Sequence, residues 1–395
     1  MSVPSRGPHT PAAVPPVSLW IIIRAWTRLG ITGFGGPQAH VVMLRSLVVE
    51  RHHWMDEEEF EHAVATTNLL PGPASTQLAI YCGWKLRKTV GALVAGWCFI
   101  FPGLALIIAA SAIIFASGAP GWVLGAALGA GAIVPIIAIR AGLDLIVPSF
   151  KRSKGLYGAR LRWTVWVMVG FVAVITLGGF VVVALLGCGL LELVLEQWRR
   201  RRMPSSLSTI LPVAGLGLAG LGPLVWTAIK VGALSFGGGF VIIPLMQADA
   251  VHRYHWMTNS QFLTSVALGQ LTPGPVVQTV ASVGYAAGGL WAALLAAGVA
   301  FAPSFFMVIL GGPYFDRFRH SSNAQAFLAG SGPAAIGAIL GTSILLGAGV
   351  RHLWQIPLLL VAALWLLVAR KGTLSILIAG AVLGALCGGI GLAIT

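Results

Sequence analysis

The chain has 395 residues, of which 57% are hydrophobic and only 9% charged, with a formal net charge of +14. A water-facing domain carries about a quarter of its residues as charges, so the composition excludes a soluble globular protein and makes lipid the solvent for much of the chain. The basic residues lie in short clusters between apolar segments, not in one stripe interleaved with aromatics. That excludes a nucleic-acid surface and matches the basic cytoplasmic loops of a membrane protein.

In chain order, residues 1–18 are Pro-rich and polar and lack the charged-then-apolar pattern of a cleavable signal, so they read as a disordered N-terminal arm. Helical segments are predicted at 19–36, 37–52, 56–70, 73–87, 89–116, 122–146, 163–177 and 181–197. A basic linker over 199–222 leads into a second series at 224–238, 239–254, 258–271, 275–287, 290–313, 324–349, 354–368 and 374–394. Several of these reach the length of about 20 apolar residues that crosses a hydrocarbon layer of about 30 Å. The expected fold is an all-α integral membrane protein with roughly 10–14 membrane helices, some broken or re-entrant. Its two units are 19–198 and 223–395.

The two series are one sequence written twice. Shifted by 202 residues, 30–73 lies on 232–275 without a gap, and 16 of 44 positions are identical. Phe34-Gly35-Gly36 meets Phe236-Gly237-Gly238, and Pro71-Gly72-Pro73 meets Pro273-Gly274-Pro275. Arg51, His53, Trp54 and Met55 meet Arg253, His255, Trp256 and Met257, which biased apolar composition would not produce. Loop charge then sets relative orientation. Lys85, Arg87 and Lys88 correspond to the neutral 286–289 loop, whereas neutral 117–120 corresponds to Arg317, Arg319 and His320. Because Lys and Arg favour the cytoplasmic side, the halves are expected to insert as an inverted, antiparallel repeat.

The breaks in the helices are the candidate site. Gly35, Gly36 and Pro37, and again Pro71, Gly72 and Pro73, interrupt apolar runs, and broken backbone at membrane depth is tolerated only where protein or water covers it. Each following helix start, at Pro37, Pro73, Gly239 and Pro275, exposes unpaired N–H groups and a positive dipole end, an anion site made of backbone. Small polar residues stand within a turn: Gln38, Asn68, Ser75, Thr76 and Gln77 in the first half, and Gln270, Thr272, Gln278 and Thr279 in the second. Arg28 aligns with Lys230, a cation in each half of the kind a dianion site would use, and Arg28→Gln and Lys230→Gln are both expected to slow transport. His53 and His255 read as parts of an interfacial anchor with the adjacent Trp rather than as proton carriers. The acidic run 56–59 and its counterpart 258–261 read as helix caps. Arg140 and Asp144, four apart, read as a pair, and Glu192 and Glu196 as solvated partners of the basic run 199–202. Four scattered cysteines and the lack of nucleotide or metal-ligand motifs imply no cofactor, no metal and no enzyme chemistry.

These residues resemble the chromate ion transporter family in its long two-domain form. The resemblance rests on Gly33-Phe34-Gly35-Gly36-Pro37, on His53-Trp54, and on Leu70-Pro71-Gly72-Pro73, with a second copy at 235–239, 255–256 and 272–275. It covers nearly the whole chain. The second copy departs at Gly239, where the first has Pro37. The resemblance implies export of chromate across the bacterial inner membrane and chromate resistance. Sulfate, of the same shape and charge, stays open as an alternative substrate. A non-transporting scaffold or lipid enzyme is a further reading, which would tolerate Ala at Gly36, Gly72, Gly238 and Gly274. The lipid bilayer is the expected partner, and a homodimer is one open arrangement.

Overall fold

The computed structural model describes residues 17–68, 70–116, 118–153, 159–177, 181–200, 221–235, 240–312 and 321–391. Nearly all of the expected N-terminal arm, most of the basic linker, and the candidate residues Phe236, Gly237, Gly238 and Gly239 lie outside the described residues. So does the 313–320 loop used for the charge comparison.

Among the described residues there are 14 helices and no strand. The first half contains α1 (Leu19–Thr32), α2 (Gly36–Arg45), α3 (Glu57–Thr67), α4 (Ala74–Ile114), α5 (Gly121–Ser153), α6 (Ala159–Leu177) and α7 (Val181–Arg200). The second contains α8 (Gly222–Leu234), α9 (Ile242–Gln247), α10 (Asn259–Leu271), α11 (Thr279–Gly311), α12 (Ser322–Gly347), α13 (Gln355–Ala363) and α14 (Thr373–Gly389). Among the described residues, five helical stretches are long and apolar enough to cross a membrane, including Ala74–Ile114 and Val276–Gly311. Large apolar side chains such as Trp20, Phe101, Trp291 and Leu353 are exposed, as expected where lipid covers the outer face.

The helix after each Pro-Gly-Pro turn doubles back. Within α4, Arg87 and Lys88 leave helical geometry, with Lys88 at φ 51° and ψ −139°. A Cβ on Gly83 would lie 2.4 Å from the Ala95 Cβ, whereas twelve residues of straight helix would separate them by about 18 Å. The helix is therefore a hairpin with arms 74–86 and 89–114, as the separate predicted helices 73–87 and 89–116 imply. In α11 the same turn is made at Gly288 and Gly289, and Gly284 faces Ala292 and Ala296.

The hairpins set the relative direction of the halves. Gly72 faces Ser304, Gln77 faces Met307 and Trp84 faces Gly312, so the first arm of α4 runs parallel to the second arm of α11. Gly103 faces Gln278 and Ser111 bonds Ser282 at 2.8 Å, so the second arm of α4 runs parallel to the first part of the α11 hairpin. Arms within a hairpin are antiparallel, so the equivalent arms of the two halves are antiparallel. The halves therefore form an inverted repeat in their packing as well as in their loop charge.

The remaining helices are exchanged between halves. Helix α5 packs on α13 and α14, while α12 packs on α6 and α7 and also on α5. Along α5 and α14, Gly125 faces Gly384 and Gly129 faces Gly380, close enough that a Cβ at Gly125 would fall 2.1 Å from the Gly384 carbonyl oxygen. Small residues let membrane helices approach this closely, since lipid offers no hydrophobic drive to assemble them. Arg140 pairs with Asp144 as expected, at 2.8 Å. Glu192 is buried, not solvated: it binds Arg162 at 3.3 Å and accepts from Trp166 Nε1 at 3.0 Å.

The duplicated Arg-x-His-Trp-Met segment proves to be a helix terminator. Helices α2 and α9 each continue into one π-helical turn, Ser46–Arg51 and Ala248–Arg253, at positions 202 residues apart. His53 and His255 then take φ of 51° and 52°. That reversal lets the N–H groups of Trp54 and Met55 reach the Val48 carbonyl, and those of Trp256 and Met257 reach Ala250. Asp56 and Thr258 cap the next helices through the N–H groups of Glu59 and Gln261.

Candidate functional site

Both Pro-Gly-Pro turns lie in the interior. Gly72 and Gly274 hold φ of 121° and 100°, which an L side chain adopts only with strain, and they allow the chain to end one helix and start the next at the same depth. In each half a glutamine on the following turn grips the turn that precedes it. Gln77 Nε2 donates to the Pro71 carbonyl at 2.6 Å, and Gln278 Nε2 donates to the Pro273 carbonyl at 2.9 Å and to Thr272 Oγ1 at 2.8 Å. A carbonyl can only accept, so the amide nitrogens must face the turns and the two Oε1 atoms must face away.

Each turn packs into the other half. Gly103, one residue past Pro102 in α4, touches Pro273 so closely that a Cβ there would fall 1.9 Å from its carbonyl oxygen. At the equivalent position, Ser304 stands one residue past Pro303 in α11 and directs Oγ toward Gly72.

A three-bond relay joins the two turns through His40 and Gly33. Ser75, in the first turn of α4, bonds His40 Nδ1 at 3.3 Å. His40 Nε2 reaches the Gly33 carbonyl at 2.9 Å, and the same carbonyl accepts from the Gly274 N–H at 2.9 Å. Because that carbonyl accepts, Nε2 carries a hydrogen, and in the neutral ring Nδ1 then accepts from the Ser75 hydroxyl. His40 is fully buried, edge-on to Phe99 at a ring distance of 5.1 Å.

Buried polar atoms without partners surround this junction: Thr76 Oγ1, Gln77 Oε1, Gln278 Oε1 and Ser304 Oγ. Unpaired groups in a membrane interior carry a desolvation penalty of about 1–3 kcal/mol each, which a polar ligand or water would relieve. Thr76 stands on the first turn of α4, where the N–H groups and dipole favour an anion. The second half starts less regularly, with a 3-10 turn Val276–Gln278 ahead of α11.

The predicted residues divide into two groups. Pro71, Gly72, Pro73, Ser75, Thr76 and Gln77 come together with Thr272, Pro273, Gly274, Pro275 and Gln278. Arg28, Phe34, Gly35, Gln38 and Asn68 are exposed, and Gly36 opens α2 with φ 76° facing empty space. Gln270 is half-buried with its Nε2 unpartnered. The start expected at Gly239 falls outside the described residues, and α9 begins at Ile242. Lys230 is buried but not free. It pairs with Asp249 Oδ2, which also accepts from Thr227 Oγ1 at 2.7 Å, so the expected matched cations are an exposed arginine and a neutralised lysine.

Sequence reasoning missed His40, Gly33, Gly103, Ser304 and Asp249. His40 and Asp249 carried a signal that went unread, since an ionisable residue inside an apolar segment is costly enough to need a partner. The other three are ordinary small residues whose contacts lie far away in sequence.

Among the described residues no group of His, Cys, Asp and Glu side chains could hold a metal ion, and the cysteines are unbridged. The chromate transporter sequence pattern matches residues 20–193 and 222–386. The chain is 33% identical over 398 residues to the chromate transport protein of Cupriavidus metallidurans, covering 95% of this chain and 96% of that protein. It is 28% identical over 371 residues to the probable chromate transport protein of Synechococcus elongatus, covering 90% and 91%. An uncharacterized transporter of Bacillus subtilis, YwrB, is 34% identical over 131 residues, or 33% of this chain and 65% of its own length. No solved structure matches the chain significantly.

Proposed function

The chain belongs to the chromate transporter family, a family of membrane transporters and not enzymes, and we propose that it carries chromate by secondary active transport. The oxyanion is held between the two Pro-Gly-Pro turns, on the first turn of α4 and the hydroxyls of Ser75, Thr76 and Ser304. The observation that carries this reading is the pair of buried, unpartnered hydroxyls, Thr76 Oγ1 and Ser304 Oγ, contributed by the two inverted halves. Neutral hydroxyl and N–H donors attract a dianion without a fixed counter-charge, so the ion can leave again. Water around the ion supplies donors to the free oxygens of Gln77 and Gln278. The membrane is the bacterial inner membrane, whose inside-negative potential drives an outward-moving anion at about 2.3 kcal/mol per charge per 100 mV. Alternating access follows from rocking one half against the other about the junction.

The test is chromate movement in liposomes holding the purified protein. Chromate accumulates above the level of empty liposomes and responds to an imposed voltage, and sulfate and molybdate are compared as competitors. Gly72→Ala and Gly274→Ala, which place a Cβ at left-handed positions in the junction, slow transport at least about tenfold, the scale of a misplaced binding group. No chromate movement beyond empty liposomes sinks the proposal. Stronger transport of sulfate than chromate redirects it to the sulfate reading.

A further inference from the structure

We infer that His40 is the proton carrier that couples oxyanion movement to proton movement, through reversal of its hydrogen bond with Ser75. This rests on the reading that the oxyanion sits at the first turn of α4. In the neutral ring, Nε2–H is committed to the Gly33 carbonyl, so the one place for a second proton is Nδ1. That nitrogen now accepts from the Ser75 hydroxyl. When a proton from water binds Nδ1, the direction must reverse: Nδ1–H donates and Ser75 Oγ accepts. The Ser75 hydroxyl hydrogen is then released from His40 and free to turn toward an oxyanion on its own helical turn. Protonation therefore adds a donor and a positive charge to the site in one step. No bond of the oxyanion is broken, and the proton leaves Nδ1 when the oxyanion is released.

Reciprocity completes the coupling. If a proton on His40 tightens oxyanion binding, a bound oxyanion tightens proton binding by the same factor, so the two ligands occupy the site together, and a complex that crosses with its proton carries one negative charge instead of two and feels half the voltage drive. The position suits this task, because Gly33 ties His40 to the Gly274 turn of the second half and Ser75 ties it to the helix start after the Gly72 turn of the first.

The surroundings of His40 present Ser75 and Phe99 from α4, the Gly33 carbonyl after α1 and the Gly274 turn. Charged groups of these elements are placed elsewhere. Arg24 and Arg28 are exposed on α1, Lys85 pairs with Glu59 near the hairpin tip beside Arg87 and Lys88, and Arg45 at the end of α2 binds Glu50 and Glu57. In the second half the equivalent of His40 is Ile242, and the charged pair there is Lys230 with Asp249.

The experiment compares wild type with His40→Gln, which keeps an N–H for Gly33 but cannot titrate, in liposomes clamped at zero voltage. Equal pH on both sides, stepped from about 6 to 8, isolates binding, and an imposed pH gradient isolates coupling. In wild type the half-saturating chromate concentration rises by up to about tenfold per pH unit, the limit for one linked proton, and a pH gradient drives accumulation. His40→Gln exchanges chromate with the weak affinity that wild type shows at the high-pH end, and loses gradient-driven accumulation. Its remaining pH dependence is that of chromate alone, which the two proteins share. Ser75→Ala, which cannot be reversed, loses the pH-dependent gain in affinity. If wild type moves no proton with chromate by pH electrode, the inference is overturned whatever the variants do. Accumulation by His40→Gln equal to wild type overturns it as well. Absence of chromate exchange in wild type at every pH counts instead against the site itself.

Discussion

The broken helix pair of the first half, α2 with α3, and its copy α9 with α10 share a backbone plan down to the π-turn and the left-handed histidine, yet they lie in different surroundings. In α9 all six residues are buried, and α10 packs on α5, α11 and α14. In α2 only His40 and Leu44 are buried, and α3 packs chiefly on α4. The outer pair carries a charged shell, with Arg45 held between Glu50 and Glu57. The inner pair keeps one exposed charge, Arg253, and one buried charge, Asp249, neutralised by Lys230. Duplication preserved the local conformation while the two copies diverged in what they bury. An element with few buried contacts opens at lower free energy, so the first-half pair is the one suited to move.

The comparison breaks most sharply at the buried ion pair. Lys230→Met leaves the Asp249 carboxylate unpaired in the interior and is expected to cost about 3–5 kcal/mol, read as loss of monodisperse protein and of thermal stability in detergent. The double variant Lys230→Met with Asp249→Leu regains most of it. Little loss in the single variant would show that the pair does not hold the second half together. Next comes the crossed packing of the turns. Gly103→Ala drives a methyl group into the Pro273 carbonyl and is expected to cost about 1–3 kcal/mol or more. Ser304→Ala at the equivalent position leaves thermal stability nearly unchanged while weakening chromate binding. Equal stability losses at both positions would remove this asymmetry. The smallest effect belongs to Arg28→Gln, on an exposed face, which should stay within about 0.5 kcal/mol in stability and close to wild type in transport. The alignment of Arg28 with Lys230 suggests equal importance, so a large transport defect would restore the arginine to the site.

Much of this was legible before any coordinates. The Pro-Gly-Pro turns, the hairpin tip at 87–88, the capping at 56–59 and 258–261 and the inversion of the halves follow from residue types and loop charge. These are local or whole-chain properties. Arg28 and Lys230 show where that reasoning stops: alignment equated them, but one is exposed and the other is matched by a carboxylate whose equivalent in the first half is Leu47. Glu192 fails in the same way. Its neighbours in sequence are basic, yet its partners are Arg162 and Trp166 on another helix.

The sequence by itself determined the solvent, the duplication and the places where helices break, because each depends on composition, periodicity or a turn that a few adjacent residues enforce. Only the tertiary structure decided which side chains close the junction. Gly103 meets Pro273 and Gly33 meets Gly274 across 170 and 241 positions of chain, and no local pattern records which buried polar group will meet which. That choice is made when two inverted halves pack, since a polar group in a low-dielectric interior must find a partner wherever the packing supplies one.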